Sequence, residues 1–301
     1  MKGLTAIKKI FRYIDNHPLA GKHRLKAYTK FIKWQAGQFF NPGERKMPFT
    51  DRTFLMVKKG MAGATGNIYT GLHEFSDMSF LLHLLRRNDL FADIGANVGS
   101  YTVLASGHSG ARTVSFEPLP STFSQLQKNI AVNQIETSVK AYNAGIGSEN
   151  KKLAFTASYD TVNHVVADHE RNDNIPVIEV DVLPFDSIAI KEGTPLLVKI
   201  DVEGFETEVI KGMKQTLADN KLKAIIIELN GSGGRYGYDE SLIHQELIGL
   251  GFHPYSYDAF QRKLEKQDGY GSHNTLYLRD TAFINDRIKN ADKVSIFSDE
   301  F

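Results

Sequence analysis

The stretch "LFADIGANVGSYT", residues 90–102, is an apolar run that breaks into a turn punctuated by Gly95 and Gly99. A short, nearly continuous apolar run reads as a strand buried on both faces of a parallel sheet. The glycines permit close backbone approach, and Ser100-Tyr-Thr then opens a helix whose first N–H groups are free. Strand, turn and helix in this order point to an open α/β sheet, where ligands collect beyond the C-terminal strand ends. The spacing Gly95-x-Asn97-x-Gly99 matches neither the dinucleotide G-x-G-x-x-G nor the ATP loop G-x-x-x-x-G-K-[ST]. No lysine follows to meet a β- or γ-phosphate. Asp93, just ahead of the turn, repels a pyrophosphate and attracts a cationic amino group.

Working outward, apolar runs at 89–95, 112–118, 139–147, 196–201, 224–230, 253–258 and 274–279 alternate with helical stretches such as 121–133, where Phe123, Leu126 and Ile130 share a face. This predicts a doubly wound α/β domain over 89–282. The last two runs are joined by a polar, glycine-containing loop, which predicts a closing antiparallel hairpin. Glu117, followed by Pro118, ends the second strand about 20 residues after the turn, where an acid accepts hydrogen bonds from both ribose hydroxyls. Asn143 and Ala144 stand where an adenine edge is met. A ribose diol and a cationic tail together describe S-adenosylmethionine.

The segments "DIGANVGSYT", "SFEPLPSTFSQLQKNIAVN" and "VKIDVEGFETEVIKGM" resemble the successive motifs of the FkbM-type methyltransferases, over roughly residues 70 to 280. The resemblance implies a class I methyltransferase (Rossmann-like) fold: a mostly parallel seven-stranded sheet with a reversed last strand. It also implies S-adenosylmethionine as donor and O-methylation of a sugar hydroxyl in a glycan, a lipopolysaccharide-type molecule or a glycosylated natural product. Two other classes stay open on the residues alone, an NAD(P)-dependent oxidoreductase on a similar sheet and a non-catalytic binding module.

Methyl transfer to oxygen needs alignment and removal of one proton. "LLVKIDVEGFE" places Asp201 at a strand tip with Glu203 and Glu206 just beyond, and "AIIIELNG" places Glu228 and Asn230 at the end of another strand. Asp201, Glu203, Glu228 or His273 is then the expected general base. Asp201, Glu228 and Asn230 are alternatively oxygen ligands for Mg²⁺. Lys199 is a candidate partner for Asp201, Glu206 is expected to complement a helix N-terminus, and His164 reads as a structural histidine. The loop "NGSGGRYGYD" (230–239) is expected to be mobile, with Arg235 and the tyrosines suited to sugar recognition.

The flanks are of different character. Within residues 1–50, Lys2, Lys8, Lys9, Arg12, Lys22, Arg24, Lys26, Lys30 and Lys33 face only Asp15 in the first forty positions. Apolar residues there recur at helical spacing, around Pro18 and Gly21. A helical hairpin with a solvated basic face is expected, or else an interfacial helix that touches anionic lipid. Residues 51–88 read as two strands around a glycine-rich turn (53–72) and a helix (74–87), a lid segment; 283–301 is a C-terminal tail. The net charge of +1 argues against nucleic acid, and the lack of cysteine excludes disulfides and thiolate chemistry. No secretory signal and no apolar run near 18 residues is visible. The expected location is the cytoplasm, free or peripheral at the inner membrane face.

Overall fold

The computed structural model describes residues 2–156, 163–167, 170 and 176–301. The opening stretch folds as β3 (Leu90–Ile94), preceded in the chain by α1 (Lys2–Asn16), α2 (Arg24–Phe40), β1 (Arg45–Pro48), β2 (Phe54–Val57), α3 (Ala62–Thr70) and α4 (Phe75–Leu84). After it come α5 (Ser100–Thr102), which runs on through wider helical turns to His108, β4 (Arg112–Phe116), α6 (Pro120–Val132), β5 (Val139–Tyr142), β6 (Gly145–Ile146), β7 (Lys151–Thr156) and β8 (Val177–Leu183). The remainder is α7 (Phe185–Glu192), β9 (Leu197–Ile200), α8 (Glu206–Lys211), α9 (Lys214–Ala218), β10 (Ala224–Glu228), α10 (Glu240–Gly249), β11 (His253–Asp258), β12 (Lys263–Lys266), β13 (Asn274–Leu278), α11 (Thr281–Lys289) and a β14–β15 hairpin (Ser295–Ile296, Asp299–Glu300).

The main sheet has the order β12-β11-β13-β10-β9-β3-β4-β5. β10, β9, β3, β4 and β5 are parallel, and β13 inserts antiparallel between β10 and β11. This is the class I methyltransferase sheet with its reversed strand. It carries eight strands rather than seven, because β12 adds an antiparallel edge to β11.

Side-chain alternation divides the interior into two cores. Phe91, Leu197, Ala224 and Ile226 join the core that also holds α1 to α4, whereas Ala92, Ile94, Val198, Ile200, Ile225 and Ile227 join the core under α7, α8 and α10. Continuing that parity past the strand ends puts Asp93, Glu117, Lys199, Asp201 and Glu228 all on the first face. Register strengthens the grouping, since Asp93 is the Cα partner of Lys199.

Three local readings are corrected. Residues 62–70, expected as part of a glycine-rich turn and a second strand, form α3: Gly66 packs beneath His73, where a Cβ would lie 2.5 Å from Nδ1, and Thr70 Oγ1 donates to the Gly66 carbonyl at 2.9 Å. The strand pair is instead β1 with β2, so one hairpin straddles residue 50. The run 139–147 breaks after Tyr142, because β6 leaves the main sheet for a three-stranded one with β8 and β7. The helix over 74–87 ends at Leu84, where the Arg86 guanidinium donates to the carbonyls of His83 (2.8 Å) and Leu85 (2.9 Å).

Gly95 has φ +82°, and a Cβ there would sit 1.8 Å from the Asp201 carbonyl oxygen. The glycine therefore lets the loops after β3 and β9 touch. Gly95→Ala should cost about 2–4 kcal/mol in urea unfolding, whereas Gly234→Ala, with no atom within 4 Å, should stay within about 0.5 kcal/mol. Equal midpoints for the two variants would contradict this role.

Candidate active site

A cavity of about 270 Å³ opens at the C-terminal ends of β3, β4, β9 and β10, lined by Asp93, Gly95, Asn97, Glu117, Lys199 and Asp201 among others. At its centre is a buried cation. Lys199 Nζ donates to Asp201 Oδ2 at 2.7 Å and lies 4.9 Å from the centre of the Tyr101 ring. Burial opposes its charge, but the negative charges of Asp201, Glu74 and Asp93 prevail and hold its pKa above the ordinary lysine value. Asp93 is buried and accepts from Thr102 Oγ1 at 2.6 Å; burial raises its pKa against the pull of Lys199.

The glycine turn is built around Glu117. Asn97 takes a left-handed φ of +51°, which asparagine tolerates. Its N–H donates to Glu117 Oε2 at 3.0 Å, and the Leu119 N–H donates to Oε1 at 3.0 Å. Burial pushes Glu117 up to about 7 in spite of those two donors. Each oxygen keeps a lone pair, so the carboxylate can still accept from a diol. Gly99 is also left-handed, and a Cβ there would meet Leu126 at 2.4 Å. Pro118, Leu119, Ile146 and Phe155 give the same cavity an apolar wall. An acidic pocket with a diol acceptor and an apolar wall fits S-adenosylmethionine in its amino group, ribose and base.

A second cavity, about 770 Å³, shares His73, Glu74 and Glu228 with the first and continues past Asp77, His273 and Asn274 to α1. At the junction, ligand atoms of Asp201, Glu203 and Glu228 all come within 4.8 Å of one another. Burial, then the neighbouring carboxylates, pushes Glu203 and Glu228 each up to about 7. Glu74 accepts from Tyr101 Oη (2.8 Å) and Asn274 Nδ2 (2.8 Å), and Asn274 also donates to Asp77 (3.1 Å).

Residues 93–254 match the model of the methyltransferase FkbM domain. The chain belongs to the FkbM methyltransferase family. Among its relatives are the hexuronic acid methyltransferase AglP of Haloferax volcanii, 31% identical over 152 residues (50% of this chain and 59% of that protein), and methyltransferase 1 of Beauveria bassiana, 27% identical over 184 residues (53% and 72%). The match to AglP thus spans less than two thirds of that protein's length. The C-terminal domain of precorrin-6Y C5,15-methyltransferase from Rhodobacter capsulatus overlays with a TM-score of 0.39 at 14% identity, over 68% of this chain and 88% of that one.

In this FkbM methyltransferase the expected residues divide cleanly. Asp93, Gly95, Asn97, Glu117, Pro118, Asp201 and Glu203 line the first cavity, His273 lines the second, Glu228 lines both, and Gly99 lines neither. Asn143 and Ala144 stand outside the wall, which Gly145 and Ile146 form; the Asn143 amide is spent on the carbonyls of Glu117 (2.9 Å) and Pro118 (2.8 Å). Glu203 joins Asp201 and Glu228 in the carboxylate group, and Asn230, whose Oδ1 accepts from the Ser232 N–H at 2.9 Å, lies within hydrogen-bond reach of Glu228. Glu206 accepts from the N–H groups of Val202 and Gly204, both at 3.2 Å, a turn-capping role. His164 is buried, with Nε2 3.1 Å from Glu170.

The loop 230–239 is tied down rather than loose: Tyr236 Oη donates to the Val165 carbonyl (2.6 Å), Tyr238 Oη to Glu208 (3.1 Å) and Arg235 to the Glu203 carbonyl (3.0 Å). Sequence reading missed His73, Glu74, Asp77 and Tyr101. Only Tyr101, on the helix directly after the glycine turn, carried a local signal.

Removing the central cation leaves Asp93 and Asp201 uncompensated. Lys199→Met should cost about 3–5 kcal/mol at pH 8. The loss should shrink at pH 5, where Glu203 and Glu228, both raised to about 7, take up protons and the cluster carries less negative charge. A loss that is equal at both pH values in urea unfolding would contradict the charge-balancing role.

Proposed function

We propose that this chain is an S-adenosylmethionine-dependent O-methyltransferase whose acceptor is a sugar hydroxyl, and that Glu228 takes the acceptor proton. The observation that carries the reading is the meeting of two cavities at Glu228, whose pKa is raised to about 7, beside Glu74 and His73. Asp93 would face the amino group of the donor, Glu117 its ribose hydroxyls, and Pro118 with Ile146 its base. Bound there, the donor supplies an electrophilic methyl on a sulfonium.

Glu74, Asp77 and Asn274 offer the acceptors and donors that hold sugar hydroxyls in place. Glu228, at the junction, accepts a hydroxyl proton as the oxygen attacks, and its raised pKa suits that exchange near neutral pH. Lys9 and Arg12, both exposed on α1, stand at the mouth of the second cavity, which favours an acceptor bearing a carboxylate or a phosphate. The name of the Haloferax relative, a hexuronic acid methyltransferase, agrees with that chemistry. Lys199 pairs with Asp201, and Glu203 and Glu228, both raised to about 7, relieve the remaining repulsion by proton uptake, so the proposed reaction does not call on Mg²⁺.

Calorimetry should show binding of S-adenosylmethionine and S-adenosylhomocysteine but not NAD. Glu117→Ala should weaken the first two by about 10–100-fold, the loss of a charged hydrogen-bond acceptor; unchanged affinity would remove Glu117 from the ribose. Glu228→Gln should lower kcat by about 10²–10⁴-fold at unchanged donor affinity. Glu228 works deprotonated, so wild-type kcat should rise with pH through about 7. A flat profile between pH 5 and 9 would count against Glu228, and loss of turnover in EDTA would restore the metal.

A further inference from the structure

The N-terminal helices pack on the domain, and α1 keeps Lys8, Lys9 and Arg12 exposed on one side, but the outward face of α2 is apolar rather than basic. Helix α2 buries Ala27, Phe31, Trp34 and Gln38. At 100° per residue the opposite face carries Leu25, Thr29, Ile32, Ala36 and Phe39, with Phe40 beside them. Leu25 is 83% exposed, Ile32 57%, Phe39 80% and Phe40 83%. Four large apolar side chains on one face of one helix are not scattered surface residues.

The lysines nearby divide into two groups. Lys26 Nζ donates to the Phe297 carbonyl (3.0 Å) and Ser298 Oγ (2.7 Å), and Lys30 Nζ lies 4.0 Å from the Phe297 ring centre. Those two fasten α2 to the C-terminal hairpin. Lys33, next to Ile32, and Lys8, Lys9 and Arg12 on α1 have no acidic partner among the described residues. The first forty positions hold nine lysines and arginines against one acid, although the whole chain is close to neutral at +1.

We infer that the outward face of α2 is a docking surface for an anionic membrane, on which the helix lies in the plane of the interface. Leu25, Ile32, Phe39 and Phe40 would enter the headgroup–acyl boundary, and Lys33 beside them, backed by the surplus positive charge of the first forty residues, would meet anionic headgroups. No helix among the described residues is long and apolar enough to cross a membrane, so the contact is peripheral. A second copy of the chain would fit this face less well, because pairing it would bring the two surplus positive charges together.

The full chain should co-float with vesicles of phosphatidylcholine and phosphatidylglycerol but not with phosphatidylcholine alone, and added salt should weaken the association. The triple variant Ile32→Ser, Phe39→Ser, Phe40→Ser should lose at least about tenfold in partitioning. Its unfolding midpoint and S-adenosylmethionine affinity should match wild type, since none of the three is buried. Failure of the wild-type chain to float with anionic vesicles overturns the inference, as does equal flotation of the variant. A wild-type dimer in sedimentation equilibrium that the variant abolishes, without vesicle binding, assigns the face to a second copy and overturns it too.

Discussion

The site depends on a single buried ammonium. Lys199 stands at the end of β9, half of a cross-strand pair with Asp93 and two residues from Asp201, so strand alternation aims all three side chains at the same face. Without that cation, carboxylates brought this close would either repel or take up protons. With it, Asp201 has a partner, while Glu203 and Glu228 keep pKa values raised to about 7. Burial and the Asp201 charge raise these two acids against the pull of the same ammonium, which leaves them poised for proton exchange.

The left-handed turn after β3 is the second constraint. Gly95 allows the β3 and β9 loops to touch, and Asn97 points its backbone N–H at Glu117. The glycines thus serve protein–protein packing within the fold first, and the shape of the cavity follows from that packing. Glu117 is fixed by two backbone donors from both sides of the groove, which orients its free lone pairs inward.

Much of this was legible in the chain. Buried parallel strands announce themselves as short apolar runs, and the acids at their tips, Asp93, Glu117, Asp201 and Glu228, follow from position alone. Side chains that act across long sequence separations were not legible. Glu74 meets Asn274 two hundred residues away, and nothing local marks Glu74. Asn143 misled because an amide after a strand can as well pin the neighbouring loop as face a ligand. Helix α3 misled because Gly63, Gly66 and Thr70 weaken a helical signal, although Gly66 is required by the His73 ring packed on it. The edge strand β12 and the strands β7 and β8 are half-exposed, so their patterns carry little apolar signal.

A crystal structure with S-adenosylhomocysteine tests the central claim most directly. The account predicts the ribose diol on the Glu117 carboxylate, the amino group toward Asp93, and the sulfur directed at the junction beside Glu228. A ligand that leaves Glu117 with only its two backbone donors, or that turns its sulfur away from Glu228, would contradict it.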